Sequence, residues 1–380
     1  MGVSRGAGGL GAAGASHRLR LAREHRGRAG AAPGGLAAAA GATEPDLDLR
    51  PVRGPRGGDP SRQPPAPARG HGEPLRPRRQ ARVTTVAVLG AGSWGTTLAD
   101  LLARKGLDVR IWAYEPEVVE AINQRHENPL FLPGAALAPS LRAHQDAGEA
   151  VSGAGVILSA APSHAARAVL AAVADDVAAG TLLLSATKGL ECDTLLFMSQ
   201  VAAQVLPKAR FAALSGPSFA REVFERQPTA IVAASTDAGA AREAQELLAC
   251  GYFRVYSNPD VLGTEIGGAL KNVIAIAAGV LEGLGMGHNP LAALVTRGLA
   301  EIARLGTALG ADAGTFSGLA GLGDLILTTT GALSRNRALG VALARGETLA
   351  DYTTRHRSIA EGVNTARAAG RLAARAGVEL

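Results

Sequence analysis

The feature that most constrains this chain is a glycine-rich turn between a short apolar run and a helical pattern. Thr84–Leu89 is β-branched and apolar, and Gly90–Gly95 reads GAGSWG, which has the spacing GxGxxG. Leucines then recur at helical intervals from Leu98, and a second apolar run follows at Val109–Trp112. This order predicts strand, turn, helix and strand, the βαβ unit of a parallel sheet.

In that context each glycine has a physical role. Gly90 permits the tight turn, Gly92 lets the backbone approach a pyrophosphate, and Gly95 lets the helix pack close to the strand. Ser93 and Trp94 open the helix, whose N-terminal N–H groups and dipole favour phosphate. The turn therefore predicts dinucleotide binding. An ordinary glycine-rich turn is the alternative, since the chain has 49 glycines.

The acidic residue expected about 20 residues after the turn is Glu115. A carboxylate at the end of the second strand accepts hydrogen bonds from a ribose 2′-hydroxyl and repels a 2′-phosphate, so NAD is slightly favoured over NADP. The alternative is that Glu115 is a solvated acid at a helix N-terminus.

In the rest of the chain, strand-like and helical patterns first alternate, and then the pattern becomes helical throughout. Further strand-like runs occur at Val156–Ala160, Thr181–Ser185, Phe211–Ser215 and Thr229–Ala233, with helical patterns between several of them. From Thr264 the pattern is helical and alanine-rich. We predict an α/β fold, with a Rossmann-type doubly wound sheet domain over 83–262 followed by an all-helical C-terminal domain over 263–380.

Residues 1–82 differ from this body. They carry 15 arginines against six acidic residues and no aromatic residue, whereas the remaining residues have a net charge of −3. We predict a disordered Gly/Ala/Pro/Arg-rich extension. A start codon assigned too far upstream would produce the same sequence, and we favour that interpretation over an organelle transit peptide. The acidic body disfavours nucleic-acid binding, because that requires a basic surface.

The two cysteines, Cys192 and Cys250, lie far apart and in no ligand spacing. This pattern excludes a disulfide framework, predicts no metal site, and favours a reducing, cytoplasmic location. The longest apolar run, Val273–Leu281, is shorter than the roughly 18 residues of a membrane span, so we expect a buried helix and no membrane span.

Four lysines stand against 35 arginines. Lys105 and Lys208 lie at polar element ends and are expected to be solvated, whereas Lys188 follows an apolar strand, where ligands bind in such sheets. Lys271 lies in the apolar run GGALKNVIAIAAG, where burial requires a partner, and Asp324 is the natural one. Snorkelling is the alternative for Lys188 and Lys271.

Ser334-Arg335-Asn336 offers a guanidinium with two small polar neighbours, which suits a phosphate, and a surface loop arginine is the alternative. With these residues the chain from Val83 to Leu380 resembles the NAD(P)-dependent glycerol-3-phosphate dehydrogenases of bacteria. The resemblance is carried by GAGSWGTTLA, NPLFLPG, SATKGL, LSGPSFARE, FRVYSNPD, GGALKNVIAIAAG, TRGLAEIARLG, GLAGLGDLILT, SRNRALG and AEGVNT.

The resemblance implies interconversion of sn-glycerol 3-phosphate and dihydroxyacetone phosphate with NAD or NADP, for phospholipid synthesis, and leaves a homodimer open. It implies that Lys271 is the proton donor and acceptor, with Lys188 and Asp324 as further catalytic residues. Substrate contacts would come from these three residues and from Gly216, Ser218, Ser334, Arg335 and Asn336. Cofactor contacts would come from Gly90, Gly92, Ser93, Trp94, Gly95, Tyr114, Glu115, Lys188, Ala220, Arg335, Ile359 and Glu361.

Two departures from the family pattern bear on these expectations. The family continues beyond Gly377–Leu380, so the helical domain is expected to lack its last helices, and many members carry a basic residue near Tyr114-Glu115.

Two alternatives to this function stay open. One is another two-domain dehydrogenase of the β-hydroxyacid or 6-phosphogluconate type, and the other is a non-catalytic dinucleotide-binding protein.

Overall fold

The structure, a computed structural model, describes residues 84–356 and 361–379. The predicted extension over 1–82 and the predicted cofactor residue Ile359 lie outside the described residues. The described residues form a sheet region followed by a helical region.

The sheet region contains ten strands. Eight form one sheet in the order β10-β9-β8-β5-β4-β1-β2-β3, and β6 and β7 form a small hairpin. The strands are β1 (Thr85–Leu89), β2 (Asp108–Trp112), β3 (Arg142–His144), β4 (Val156–Ser159), β5 (Leu182–Ser185), β6 (Leu190–Glu191), β7 (Leu196–Phe197), β8 (Arg210–Ser215), β9 (Thr229–Ala234) and β10 (Phe253–Asn258).

The helices of the sheet region follow the strands along the chain. They are α1 (Ser93–Arg104), α2 (Pro116–Arg125), α3 (Ala147–Val151), α4 (Ser163–Ala172), α5 (Met198–Val205), α6 (Ala220–Phe224) and α7 (Ala238–Leu248), with a 3₁₀ turn at Ala174–Asp176. The order β3-β2-β1-β4-β5-β8 is parallel throughout, as a doubly wound sheet requires.

Burial explains why the central strands are continuously apolar. The residues of β4 and β5 are all buried, as are four of the five residues of β1, because helices cover both faces of the sheet. Strand β9 departs from the parallel arrangement, since it pairs antiparallel with β8 and parallel with β10. An apolar run predicts a strand but not its direction, so this reversal was not predicted.

The helical region begins at Val261, and two residues, Pro259 and Asp260, separate it from the last strand of the sheet. It contains α8 (Val261–Gly283), α9 (His288–Ala308), α10 (Ala313–Phe316), a π-helical turn (Leu319–Gly323), α11 (Asp324–Thr330), α12 (Arg335–Ala344), α13 (Leu349–Arg355) and α14 (Gly362–Ala376). Helix α8 lies at its centre and packs against α9, α11, α12 and α14.

Glycines let α8 and α12 touch along their backbones. A Cβ at Gly279 would lie 1.9 Å from the carbonyl oxygen of Arg337, and one at Gly340 would lie 2.0 Å from that of Ile276. Any side chain at either position would force the helices apart, so the two glycines allow α12 to pack directly against the C-terminal half of α8.

The apolar run Val273–Leu281 lies within α8, which extends over 23 residues. By length and composition alone this helix could cross a membrane, and so could the bent pair formed by 313–330 and 335–344. Of the most apolar window of α8, 56% is buried inside the protein, which is typical of a core helix.

A buried carboxylate joins α8 to α5. Glu265 is 8% exposed, and its Oε1 and Oε2 accept hydrogen bonds from the backbone N–H and the hydroxyl of Ser199, at 2.8 and 2.5 Å. Burial raises the pKa of Glu265 to about 7, although the hydrogen bonds from Ser199 oppose the shift. The folded protein therefore favours the protonated carboxyl.

This raised pKa predicts how stability depends on pH. Since the folded state binds the proton more tightly, the free energy of unfolding should fall as pH rises from 4.5 to about 7 and then level off. Glu265→Gln, which resembles the protonated form, should remove this loss, on the order of 3 kcal/mol. Urea unfolding between pH 5 and 8 measures it, with the exposed Glu117→Gln as the surface-charge control. Parallel pH curves for wild type and Glu265→Gln would contradict it.

Candidate active site

A cleft of about 950 Å³ opens beyond the carboxyl ends of β1, β4, β5 and β8, against α8 and α12. In open α/β sheets this is where ligands bind. The predicted site residues that line it are Gly90, Gly92, Ser93, Trp94, Gly95, Tyr114, Glu115, Lys188, Ser218, Ala220, Lys271, Ser334, Arg335, Asn336 and Glu361.

Two predicted residues lie behind the cleft wall. Asp324 is 1% exposed and reaches the cleft through the lysines that it binds. Gly216 has a φ of +131°, and its carbonyl oxygen accepts hydrogen bonds from Lys188 Nζ at 3.2 Å and from the Ser218 hydroxyl at 3.0 Å. Its backbone therefore holds two side chains that do line the cleft.

The glycine-rich turn is shaped to receive a pyrophosphate. Gly90 has a φ of +112°, and a Cβ at Gly95 would lie 2.0 Å from the Gly90 carbonyl oxygen. A Cβ at Gly92 would meet no atom within 4 Å, so the backbone there is open to the cleft. Helix α1 has neither a side-chain cap nor an acidic residue in its first turn, which suits an anion.

Glu115 stands at the N-terminus of α2 without capping it through its side chain. Two arginines near in sequence are engaged elsewhere. Arg110 donates to the Ser152 carbonyl at 2.9 Å and lies 3.6 Å from the Asp108 carboxylate, while Arg125 pairs with Glu127 at 2.6 Å. Glu115 therefore presents its carboxylate to the cleft without a salt bridge among the described residues.

One carboxylate binds both cleft lysines. Asp324 Oδ2 accepts from Lys188 Nζ at 2.7 Å, and Oδ1 accepts from Lys271 Nζ at 2.5 Å. A Cβ at Gly267 would lie 2.5 Å from the Ala320 carbonyl oxygen, so this glycine allows the turn before Asp324 to lie against α8. The sequences GGALKN and GLGDL thus build one cluster.

Electrostatics in this cluster favour proton transfer near neutral pH. Lys271 is 6% exposed, and burial lowers its pKa to about 7, with the Lys188 charge acting in the same direction and the Asp324 charge against it. Burial alone would raise the pKa of Asp324, but the charges of Lys188 and Lys271 outweigh it and hold that pKa below its usual value. Asp324 therefore stays ionised while Lys271 can exchange a proton.

Thr328 belongs to this cluster and was missed by sequence analysis. Its hydroxyl oxygen accepts from Lys271 Nζ at 2.9 Å, while the hydroxyl donates to the Asp324 carbonyl oxygen at 2.6 Å. Thr328 lies four residues after Asp324 on α11, so the two residues share a helix face. That spacing was the signal available in GLGDLILT.

The three residues of the Ser-Arg-Asn motif have different roles: two stabilise the structure, and the arginine lies at the cleft surface. The Ser334 hydroxyl caps α12 by accepting from the Arg337 N–H at 3.2 Å, and Asn336 Nδ2 donates to Asn272 Oδ1 at 3.0 Å. Arg335, at the cleft surface, makes no salt bridge or hydrogen bond with any other described residue. Its neighbours therefore fix the helix end from which the guanidinium extends.

Some residues that line the cleft were not predicted, although the sequence contained features that could have indicated them. The loop after β4, residues 160–165, could have been expected because carboxyl ends of strands bind ligands in this fold. Phe131 and Leu132 lie in NPLFLPG. Burial raises the pKa of Glu361, the residue that precedes α14, against the opposing charges of Arg335 and the two cleft lysines.

Comparison with known protein families shows to which family the chain belongs. The model for the N-terminus of NAD-dependent glycerol-3-phosphate dehydrogenase matches residues 85–241, and the model for its C-terminus matches residues 260–380. The chain belongs to the NAD-dependent glycerol-3-phosphate dehydrogenase family. The predicted family and fold class are confirmed, and the chain is an NAD- or NADP-dependent oxidoreductase.

Individual relatives agree with this family. The chain is 56% identical over 298 residues to glycerol-3-phosphate dehydrogenase [NAD(P)+] of Geobacter metallireducens, covering 78% of this chain and 89% of the relative. It is 52% identical over 295 residues to that of Rhodospirillum rubrum, covering 78% and 84%. The crystal structure of glycerol-3-phosphate dehydrogenase from Coxiella burnetii superposes with a TM-score of 0.76 at 38% identity, covering 78% of this chain and 91% of that one.

Proposed function

We propose that this protein interconverts sn-glycerol 3-phosphate and dihydroxyacetone phosphate with NAD or NADP. The observation that carries the proposal is the pair Lys188 and Lys271 on one buried carboxylate, in the cleft that also contains the dinucleotide turn. The relatives are named for the same activity. We further propose that the product supplies phospholipid synthesis and that the enzyme is cytoplasmic; the homodimer stays a prediction.

The side chains supply the acid–base part of the reaction. A nicotinamide cofactor, when bound in the cleft, would supply or accept the hydride at the substrate carbon. Lys271, with its pKa near 7, donates a proton to the carbonyl oxygen in reduction and removes it in oxidation. Asp324 orients Lys271 through the 2.5 Å contact, and Lys188, on the other carboxylate oxygen, places a second cation beside the substrate oxygen.

Arg335 is proposed to bind the substrate phosphate. Its guanidinium lies at the cleft surface, on the helix end fixed by Ser334 and Asn336. A guanidinium can donate two parallel hydrogen bonds to a phosphate, and binding energy gained there orients the reacting carbonyl. The substrate chain thus extends from Lys271 towards α12.

A substrate panel tests the proposed function against its alternatives. We expect NADH or NADPH oxidation with dihydroxyacetone phosphate and reduction of NAD or NADP with glycerol 3-phosphate. Turnover confined to 6-phosphogluconate or a β-hydroxyacid would favour the other dehydrogenase type. Cofactor binding without turnover on any substrate would favour a non-catalytic dinucleotide-binding protein.

Cofactor preference is a separate prediction from Glu115. The carboxylate accepts a hydrogen bond from a ribose hydroxyl and repels a 2′-phosphate, and Arg110 and Arg125 are held by other partners. We expect kcat/KM for NADH to equal or exceed that for NADPH, and Glu115→Arg to shift the ratio towards NADPH. Glu117→Arg, on the exposed side of α2, is the control. A wild-type ratio clearly favouring NADPH would show this interpretation to be wrong.

A further inference from the structure

The segment Asn128–Gly134, here the cleft loop, lies next to the glycine-rich turn. It follows α2, whose C-terminal capping residue, His126, has a left-handed conformation with φ +53°. The cleft loop places Phe131 and Leu132 in the cleft wall. The loop therefore forms part of the surface that a dinucleotide would contact.

The first residue of the cleft loop is a completely buried amide. Asn128 is 0% exposed, and its Nδ2 donates to the Ala91 carbonyl oxygen at 2.8 Å and to Thr96 Oγ1 at 2.9 Å. Its Oδ1 accepts from the backbone N–H of Phe131 at 3.1 Å. Both amide N–H groups and the amide oxygen are thus used, which aspartate or leucine could not reproduce.

The other end of this network is the turn itself. Ala91 lies between Gly90 and Gly92, and its carbonyl oxygen also accepts from the Thr96 hydroxyl at 3.0 Å. Two buried donors, Asn128 from the cleft loop and Thr96 from the first turn of α1, therefore fix one peptide of the turn. In a trans peptide the carbonyl and the following N–H point in opposite directions, so fixing the Ala91 carbonyl also fixes the N–H of Gly92, a residue that lines the cleft.

We propose that Asn128 is a positioning residue that locks the glycine-rich turn to the cleft loop and thereby sets the affinity for the dinucleotide. The proposal rests on the proposed function only for the identity of the ligand. It assigns Asn128 no contact with substrate or with the reacting atoms. Loss of the amide should release the Ala91 peptide and the Phe131 backbone together, because the same side chain holds both.

The test compares cofactor affinity with turnover in Asn128→Ala and Asn128→Asp. The Kd for NADH, measured by fluorescence titration without substrate, should rise at least about tenfold in Asn128→Ala, or about 1.4 kcal/mol. It should rise more in Asn128→Asp, whose second oxygen would face the Ala91 carbonyl oxygen. At saturating NADH, kcat with dihydroxyacetone phosphate should stay within about threefold of wild type, because Lys271 and Asp324 are unchanged.

The control is Asn123→Ala. Asn123 also binds backbone, donating to the Ala143 carbonyl and accepting from the Ala143 N–H, both at 2.9 Å, but it lies outside the cleft. It should lower Tm without changing the Kd for NADH. A Kd within twofold of wild type in Asn128→Ala, with Tm lowered as in the control, would overturn the proposal.

A second pair of variants applies if Asn128 variants do not fold. Thr96→Val removes the hydroxyl that links Asn128 to Ala91 and keeps the shape, whereas Thr96→Ser keeps the hydroxyl. We expect weaker NADH binding in Thr96→Val and near-wild-type binding in Thr96→Ser. Equal Kd values in the two variants would overturn the proposal. Normal binding of NADH without turnover in wild type would contradict the proposed function but not the role of Asn128.

Discussion

Lys271→Ala is expected to lower kcat for dihydroxyacetone phosphate reduction by at least about 10²–10⁴-fold, the usual loss on removing a general acid. The dinucleotide turn lies on other elements, so the Kd for NADH should change little. Steady-state kinetics and NADH titration measure the two effects, with the exposed Lys208→Ala as the matched control. Near-normal turnover in Lys271→Ala would remove this lysine from the mechanism.

The same lysine predicts opposite pH profiles for the two directions. Reduction requires charged Lys271, so kcat/KM should fall as pH rises through about 7. Oxidation requires neutral Lys271, so its kcat/KM should rise through the same pH. Two profiles that moved in the same direction would show that another group controls proton transfer.

Arg335→Ala is expected to lower kcat/KM for dihydroxyacetone phosphate by roughly 10–100-fold, the loss of charge-assisted hydrogen bonds of about 1.5–3 kcal/mol. The kcat/KM for unphosphorylated dihydroxyacetone should change far less, because that molecule has no phosphate for Arg335 to bind. The matched control is Arg337→Ala, since Arg337 lies on the same helix but pairs with Glu282 at 2.5 Å. Equal losses on both substrates would show that Arg335 does not bind the phosphate.

The sequence predicted the sheet where apolar runs were continuous and failed where they were short. Strands β1, β4 and β5 are buried and apolar, so their sequences indicate them directly. Strand β3 has only three residues, Arg142–His144, and β10 alternates buried and exposed positions at the sheet edge. Neither segment carries enough apolar residues to stand out from a loop.

At the site, residue chemistry was predictable but shared contacts were not. The buried position of Lys271 calls for a carboxylate, and Asp324 provides it; that Lys188 uses the other oxygen depends on how the sheet meets α8. Lys105 is exposed, as expected, but it also donates to the carbonyl oxygens of Leu247 and Ala249 at the end of α7, which was not predicted. The contacts of Lys188 with Asp324 and of Lys105 with α7 join residues more than 100 positions apart, so no local pattern encodes them.

The most direct test of the proposed reaction follows hydrogen from cofactor to product. Purified protein is incubated with dihydroxyacetone phosphate and NADH carrying two deuterium atoms at C4 of the nicotinamide, and the product is examined by mass spectrometry and NMR. The proposed reaction predicts glycerol 3-phosphate that carries one deuterium at C2, transferred from C4 of the nicotinamide. NADH oxidation without deuterium in the product, or no oxidation with this substrate, would contradict it.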